Sequence, residues 1–416
     1  MLKTRTAFYF SKKEKMSSAG KVRPGYSTKN KTTLIRGGQA YFSLMNRLIM
    51  EASQSIQLQV YILEADKTGS EVINNLMKAA KRGVTIQVLV DGYASGGLAS
   101  AIISEMRAAG IKLRFFEPIF KGGNFYFGRR LHHKVLVCDG KYGLAGGINI
   151  SDRYNDMPGI PAWLDFAVLI EGEAVFELHK LCNQLYAKEK ADIVELNRQQ
   201  ITNEGWNNLN CAVRVRRNDW VMNKNQISAT YMEFFRQANK EIIIMSSYFI
   251  PSNFFRHNII LAAKRGVKIK LILAGISDID IAKDAERYLY RWALHHGIEL
   301  YEYPKNVLHG KVAICDGRMV SIGSYNINDL SALASIELNI DVNEQFFAKQ
   351  VQHEFEQIID QDCIPISNHN GIEWNFLNRL YHWFAYTIVR FLFRIFTFYF
   401  KKKKISLFTD IRNPII

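Results

Sequence analysis

Two segments of the chain repeat one arrangement of imidazole, ammonium and carboxylate. In LHHKVLVCDGKYGLAGGIN (131–149), His132, Lys134 and Asp139 stand in an HxKxxxxD pattern, followed by Gly146-Gly147-Ile148-Asn149. In LHGKVAICDGRMVSIGSYN (308–326), His309, Lys311 and Asp316 repeat it, followed by Gly323-Ser324-Tyr325-Asn326. Residues two apart on an extended strand share a face, so each His and Lys converge while the apolar run behind them is buried. Asn149 and Asn326, at the end of the next strand, add an amide donor to the same spot. His, Lys and Asn taken twice form a cradle for a tetrahedral, negatively charged phosphoryl group. The two imidazoles divide the chemistry: one, neutral, attacks phosphorus, and the other, protonated, hands a proton to the leaving oxygen. Neither His132-His133 nor His295-His296 has Cys or carboxylate neighbours at metal-ligand spacing, so no metal and no cofactor are expected.

An imidazole nucleophile also needs a carboxylate on its other nitrogen to set the tautomer. Asp165 lies 33 residues after His132 in PAWLDFAVLI, and Glu337 lies 28 after His309 in SALASIELNI; both sit in apolar stretches that read as strands. Asp139 and Asp316 belong to the candidate catalytic motif, but their place before Gly at a strand end favours a turn or structural ion pair over direct chemistry. Tyr61 and Tyr248 match in the two copies and read as packing aromatics at strand ends. His133 is expected to face away from the site.

The elements that must carry these residues are themselves repeated. SIQLQVYILEADKTGSEVINNLMKAAKRGVTIQVLV (55–90) and EIIIMSSYFIPSNFFRHNIILAAKRGVKIKLIL (241–273) both read strand, loop, amphipathic helix, strand, and both contain AAKRGV, whose glycine ends the helix. The pattern predicts a duplicated α/β chain of two lobes, each a mostly parallel sheet flanked by helices. The boundaries expected are a basic N-terminal tail at 1–36, lobes at 37–200 and 201–365, and an aromatic, basic tail at 366–416. Within the second lobe Arg214, Arg216 and Arg217 read as a solvated strand face. The loop FKGGNFYFGRR (120–130) before the first motif is either a surface hairpin or a lipid-headgroup contact.

The chain has 416 residues and a net charge of +15, but the charge is not spread evenly. Residues 1–36 hold ten Lys/Arg against Glu14 alone, and residues 376–404 hold seven with no acid, which leaves the body close to neutral. That distribution counts against a nucleic-acid-gripping surface and favours an anionic membrane partner. FLNRLYHWFAYTIVRFLFRIFTFYF (376–400) places Arg379, His382, Tyr386, Arg390, Arg394 and Thr397 on one helical stripe ahead of Lys401–Lys404, with aromatic and aliphatic residues around the rest. The expectation is an interfacial helix whose cationic stripe faces headgroups, with docking onto the catalytic body as the alternative. The five cysteines lack CxxC spacing and fit a reducing cytosol. MLKTRTAFYFSKKEKM does not read as a secretory leader.

The paired motifs resemble the phospholipase D superfamily over about residues 37–365. With GGINISDRYNDMPGIPAWLD, YFIPS and GSYNINDLSALASIELNIDV, they are most similar to the bacterial cardiolipin synthases of the short type, without N-terminal transmembrane helices. The resemblance implies a pseudo-twofold fold with one active site between the lobes and a phosphohistidine intermediate. His132 would be the nucleophile and His309 the acid and then base. Lys134, Lys311, Asn149 and Asn326 would bind phosphate, and Asp165 and Glu337 would orient the histidines. Ser335 departs from the Asn that many relatives carry two residues before the downstream Glu. The expected activity is phosphatidyl transfer between phospholipids, phosphatidylglycerol foremost, by a protein peripheral on the cytoplasmic face of the cell membrane. A hydrolase releasing phosphatidic acid, a nuclease and a non-catalytic membrane scaffold are the alternatives.

Overall fold

A computed structural model of the chain describes residues 25–393 apart from 118–119, 122–123, 126–128, 197–205, 207–208 and 368–376. In its first half, helix Gln39–Glu51 turns into strand Ser55–Val60, and helix Lys67–Lys81 then crosses to strand Thr85–Asp91. In the second half, helix Gln226–Gln237, strand Glu241–Ser246, helix Asn253–Lys264 and strand Lys268–Ile276 repeat the unit. Gly83 and Gly266 take φ of +93° and +87° directly after the crossover helices, a conformation that a Cβ would strain. The arginine of each AAKRGV reaches back to the end of the preceding helix. Arg82 donates to the carbonyls of Ile49, Met50 and Ala52, and Arg265 to those of Phe235 and Ala238. A repeated sequence motif thus performs one repeated task, capping carbonyls that have no partner within their own helix.

The first sheet orders its strands Asn30–Arg36, Phe166–Gly172, Tyr142–Gly146, Lys134–Cys138, Ser55–Val60, Thr85–Asp91 and Lys112–Phe116. The second repeats that order with Ala212–Asp219, Ser335–Asn343, Met319–Gly323, Lys311–Cys315, Glu241–Ser246, Lys268–Ile276 and Glu299–Val307. The chain is therefore the expected duplicated two-lobed α/β fold, but the sheets are not mostly parallel. Only the last three strands of each series run parallel; the other pairings within the series are antiparallel. The reason lies in the motif itself. Asp139-Gly140 and Asp316-Gly317 all have positive φ, between 53° and 63°, and open the three-residue turns that fold each strand back on its neighbour. Their carboxylates accept the backbone N–H groups that begin each repeat: Ser53, Gln54 and Ser55 for Asp139, and Asn239, Lys240 and Glu241 for Asp316.

The inner faces of both sheets share one apolar core with helices Glu173–Tyr186 and Gln345–Asp362, in which Val135, Val137 and Phe166 meet Ile243, Met245, Val312 and Ile314. Separate clusters beneath the outer helices complete each lobe. Two expectations are corrected here. Residues 30–36 are not part of a tail but the edge strand of the first sheet, paired with Phe166–Gly172. Arg214 is not solvated: it is buried, bonded to Asp341 and Glu233 and stacked over Tyr26, because helix Gln226–Gln237 covers that face of its strand.

The C-terminal tail is described from residue 377 to 393, all of it helical; residues 376 and 394–404 lie outside the described residues. From His382 to Arg390 its polar stripe does not face outward as expected. His382 lies 3.6 Å from Asp284, Arg390 lies 3.5 Å from Asp329, and Tyr386 packs on Tyr288, while Ala385 and Val389 bury against Ile250 and Ala285. Acidic partners on the second lobe draw the cationic stripe inward, and the apolar face is left outside. No described helix is long and apolar enough to cross a membrane.

Candidate active site

His132 and His309 stand just before the strands that carry Lys134 and Lys311, at the junction of the two lobes. Each is tied there by the other lobe's backbone: the His132 N–H donates to the carbonyl of Ile336 at 3.0 Å, and the His309 N–H to that of Leu164 at 2.8 Å. The next residues along those strands are Glu337 and Asp165, and their carboxylates take the ring nitrogens. His132 Nδ1 lies 2.8 Å from Glu337 Oε2, and His309 Nδ1 lies 2.6 Å from Asp165 Oδ2. Counted along the sequence each acid follows the histidine of its own lobe; in space each serves the histidine of the other. With Nδ1 occupied, Nε2 is the ring nitrogen left for chemistry in both.

Lys134 and Lys311 are buried beside them, each donating from Nζ to the carbonyl of its own motif histidine. Burial pulls both ammonium groups below their usual range, most strongly Lys134, with Glu337 opposing that shift at Lys134 and Asp165 at Lys311. Burial likewise holds both imidazoles below the ordinary histidine range, His309 well below. It pushes the Asp165 carboxyl up to about 7. Buried ammonium groups drawn together in this way are ones that an anion beside them would hold in the charged form.

The two asparagines behave differently from each other. Asn149 donates from Nδ2 to the Tyr154 hydroxyl at 2.9 Å and accepts from the Ile62 N–H. It therefore braces Tyr154, whose ring stands edge-on to His309 at 5.1 Å. Asn326 accepts from the Ser247 hydroxyl through Oδ1, which sets its amide nitrogen as the donor that remains. Asp139 and Asp316 sit at the hairpin turns and accept backbone N–H groups of the strand-leading loops, an engagement of the structural kind that the sequence favours over direct chemistry. His133 is fully buried with Nδ1 against Gln59.

Sequence reasoning missed the roles of several residues at the site. Tyr61, expected only to pack, stands edge-on to His132 at 4.9 Å and beneath the Lys134 ammonium at 5.1 Å; its counterpart Tyr248 bonds to Asp278. Trp163 lies 6.0 Å from the His309 ring. Buried Asp91 accepts from the Leu131 N–H and Arg130, holding the segment that leads into His132. Arg129 pairs with Asp219 of the other lobe. The rest of the 120–130 loop is described only in part, and its contact role lies outside the described side chains. Ser324 donates to Glu337 and occupies the place of Gly147 in the other repeat. A Cβ on Gly147 would meet Asp165 Oδ1 at 2.3 Å, so the first repeat needs glycine where the second uses a hydroxyl. The duplicated GxxN signal marked these two positions without distinguishing them.

Known proteins resemble this chain. A family profile described as "Cardiolipin synthase, PLD-like domain" matches residues 45–174 and 231–359, the two repeats. Cardiolipin synthase B of Shigella flexneri is 33% identical over 345 residues, covering 80% of this chain and 81% of that protein. Cardiolipin synthase 1 of Bacillus cereus is 28% identical over 352 residues, with 83% and 68% covered. Among solved structures, phosphatidylserine synthase of Haemophilus influenzae superposes with a TM-score of 0.67 over 88% of this chain and 93% of that one. At 16% identity that likeness speaks to the fold alone.

Proposed function

The chain belongs to the phospholipase D-like cardiolipin synthase family and is an enzyme of its phosphatidyltransferase type; from that premise we propose that it moves a phosphatidyl group between phospholipids through a phosphohistidine on His132. The His132 Nε2 lone pair attacks the donor phosphorus, and the bond from phosphorus to the headgroup oxygen breaks. His309 gives its Nε2 proton to that oxygen, so the headgroup alcohol departs neutral. The alcohol of a second lipid then loses its proton to His309 as its oxygen attacks phosphorus, and the phosphorus–nitrogen bond breaks to restore His132. Lys134, Lys311 and Asn326 hold the non-bridging oxygens while charge builds on them. With phosphatidylglycerol in both roles the products are cardiolipin and glycerol. Water in the second role would give phosphatidic acid, which is the alternative.

The observation that carries the assignment is the unlike treatment of the two histidines. His132 is the more open, with 15% of its side chain exposed against 8% for His309, and donation of its Nδ1–H to Glu337 leaves a bare Nε2. His309 is paired with a carboxyl pushed up to about 7, so that pair holds a transferable proton near neutrality. The proposed setting is the cytoplasmic face of an anionic membrane, with phospholipids as the partners and nucleic acid as none. Incubating the protein with labelled phosphatidylglycerol tests the reading: acid-labile label on His132, absent in His132→Ala, together with labelled cardiolipin is expected. Label on His309, or phosphatidic acid as the sole product, would overturn it.

A further inference from the structure

Away from the paired histidines, the second lobe holds a cavity of about 320 Å³ between helix Asn253–Lys264, the segment from Arg287 to His296 and the C-terminal helix. That volume lies within the range of about 300–1,000 Å³ usual for small-molecule sites. Its wall brings together Arg256, Arg287, Arg291 and Arg379 with His295 and His382, and includes no acidic residue. The neighbouring acids satisfy little of this charge. Arg287 is 3.9 Å from Asp284 and 3.8 Å from Glu302, and its buried Nε has no hydrogen-bond partner. Among the described residues Arg291 and Arg379 have no acidic partner, and both stand exposed at the rim. Like charges gathered in this way repel unless an anion joins them, and the guanidinium fork matches two oxygens of a phosphate.

A second observation says what the phosphate is attached to. Leu377, Leu380, Trp383, Phe384 and Phe391 on the C-terminal helix are each 45–72% exposed, because its polar stripe is taken up by the second lobe. Ile279 and Ile281, at the helix that bears Asp284, are also exposed. A greasy face beside a cationic cavity, on a chain that continues into Lys401–Lys404, matches the acyl boundary and phosphate layer of an anionic bilayer. The geometry points to a second lipid site: the arginine cavity takes the phosphate of an anionic phospholipid that is not a substrate, while the outward face of the helix enters the bilayer. Choosing a lipid over a soluble anion rests on the phosphatidyl-transfer reading; the anion site does not.

The test is flotation of the full chain with vesicles of phosphatidylcholine alone or mixed with phosphatidylglycerol. Arg291→Ala with Arg379→Ala should weaken partition to the mixed vesicles about thirty-fold, from about 1 kcal/mol per basic residue. Lys78→Ala with Lys81→Ala, which removes the same charge from an exposed helix end of the first lobe, should leave partition within about twofold. Turnover of a short-chain, water-soluble phosphodiester should stay unchanged in both variants, which shows that they fold and separates this site from the catalytic one. Equal loss in the two variants would reduce the effect to diffuse attraction and overturn the proposal. So would calorimetric binding of inorganic phosphate that the arginine variant abolishes while its partition to vesicles is unaltered, since the cavity would then serve a soluble anion. An absence of lipid turnover with normal vesicle binding would count against the phosphatidyl-transfer reading and leave this one standing.

Discussion

An imidazole whose Nδ1 is held by a carboxylate has one nitrogen left, and what that nitrogen does depends on which partner holds the proton. For His309 and Asp165 a single proton is shared along the 2.6 Å contact: with the proton on either member, the imidazole presents Nε2–H to the pocket. Since burial raises the Asp165 carboxyl to about 7, the pair carries that proton below about pH 7 and loses it above. The expected profile of kcat/KM for a poor leaving group therefore falls as pH rises through about 7, close to tenfold per unit. In Asp165→Asn the fall should move to lower pH, because burial, with the Lys311 and Lys134 charges adding to it, holds His309 well below the usual histidine range. A flat profile between pH 6 and 9, or a limb unmoved by the substitution, would remove Asp165 from the proton inventory. At this scale His132, Lys134, His309 and Lys311 were legible because their spacing is repeated. Trp163 and Asp91 were not, since a single aromatic or acid in an apolar run carries no spacing to read, and Tyr61, though matched by Tyr248, read only as a packing aromatic.

At the scale of elements, the paired HxKxxxxD segments serve two ends. Their first half delivers chemistry, and their second half is a hairpin turn whose aspartate gathers three N–H groups from the loop that opens the repeat. Asp139→Ala should therefore act on stability rather than on turnover. Loss of those acceptors, with a Cβ-bearing residue still held at positive φ, should cost about 2–3 kcal/mol. Urea unfolding should show the lower midpoint while kcat on a soluble phosphodiester stays within about twofold. A hundredfold fall in kcat at unchanged stability would return Asp139 to the catalytic group. The tail shows the limit of reading an element by itself. Helical periodicity identified its two faces, but which one meets the protein depended on Asp284 and Asp329, residues that lie far off in the sequence.

For the molecule as a whole, the decisive feature is that each histidine is completed from the other lobe, across 205 residues for His132 and Glu337 and 144 for His309 and Asp165. The consequence can be measured by step. Glu337→Gln should impair formation of the phosphoenzyme, as changes at His132 do, by about 10²–10⁴-fold. Asp165→Asn should resemble His309→Asn, with smaller losses as the leaving group improves. Rapid quench with substrates of graded leaving-group acidity distinguishes the two. If Asp165→Asn matched the His132 variants, the pairing seen across the interface would have no functional counterpart.

The sequence by itself determined the duplication, the α/β class and the presence of two imidazole–ammonium pairs at matching places. Those are products of local periodicity and of spacing within one strand, where neighbours in sequence are neighbours in space. It also limited the orienting acids to Asp165 and Glu337, because few acids occupy apolar strands. Tertiary structure alone decided the rest: the exchange of carboxylates between lobes and the inward turn of the cationic stripe. Each depends on which surfaces meet when the lobes and the C-terminal helix pack. That choice is made by burial and charge pairing between segments far apart in the sequence, and no pattern along either segment records it.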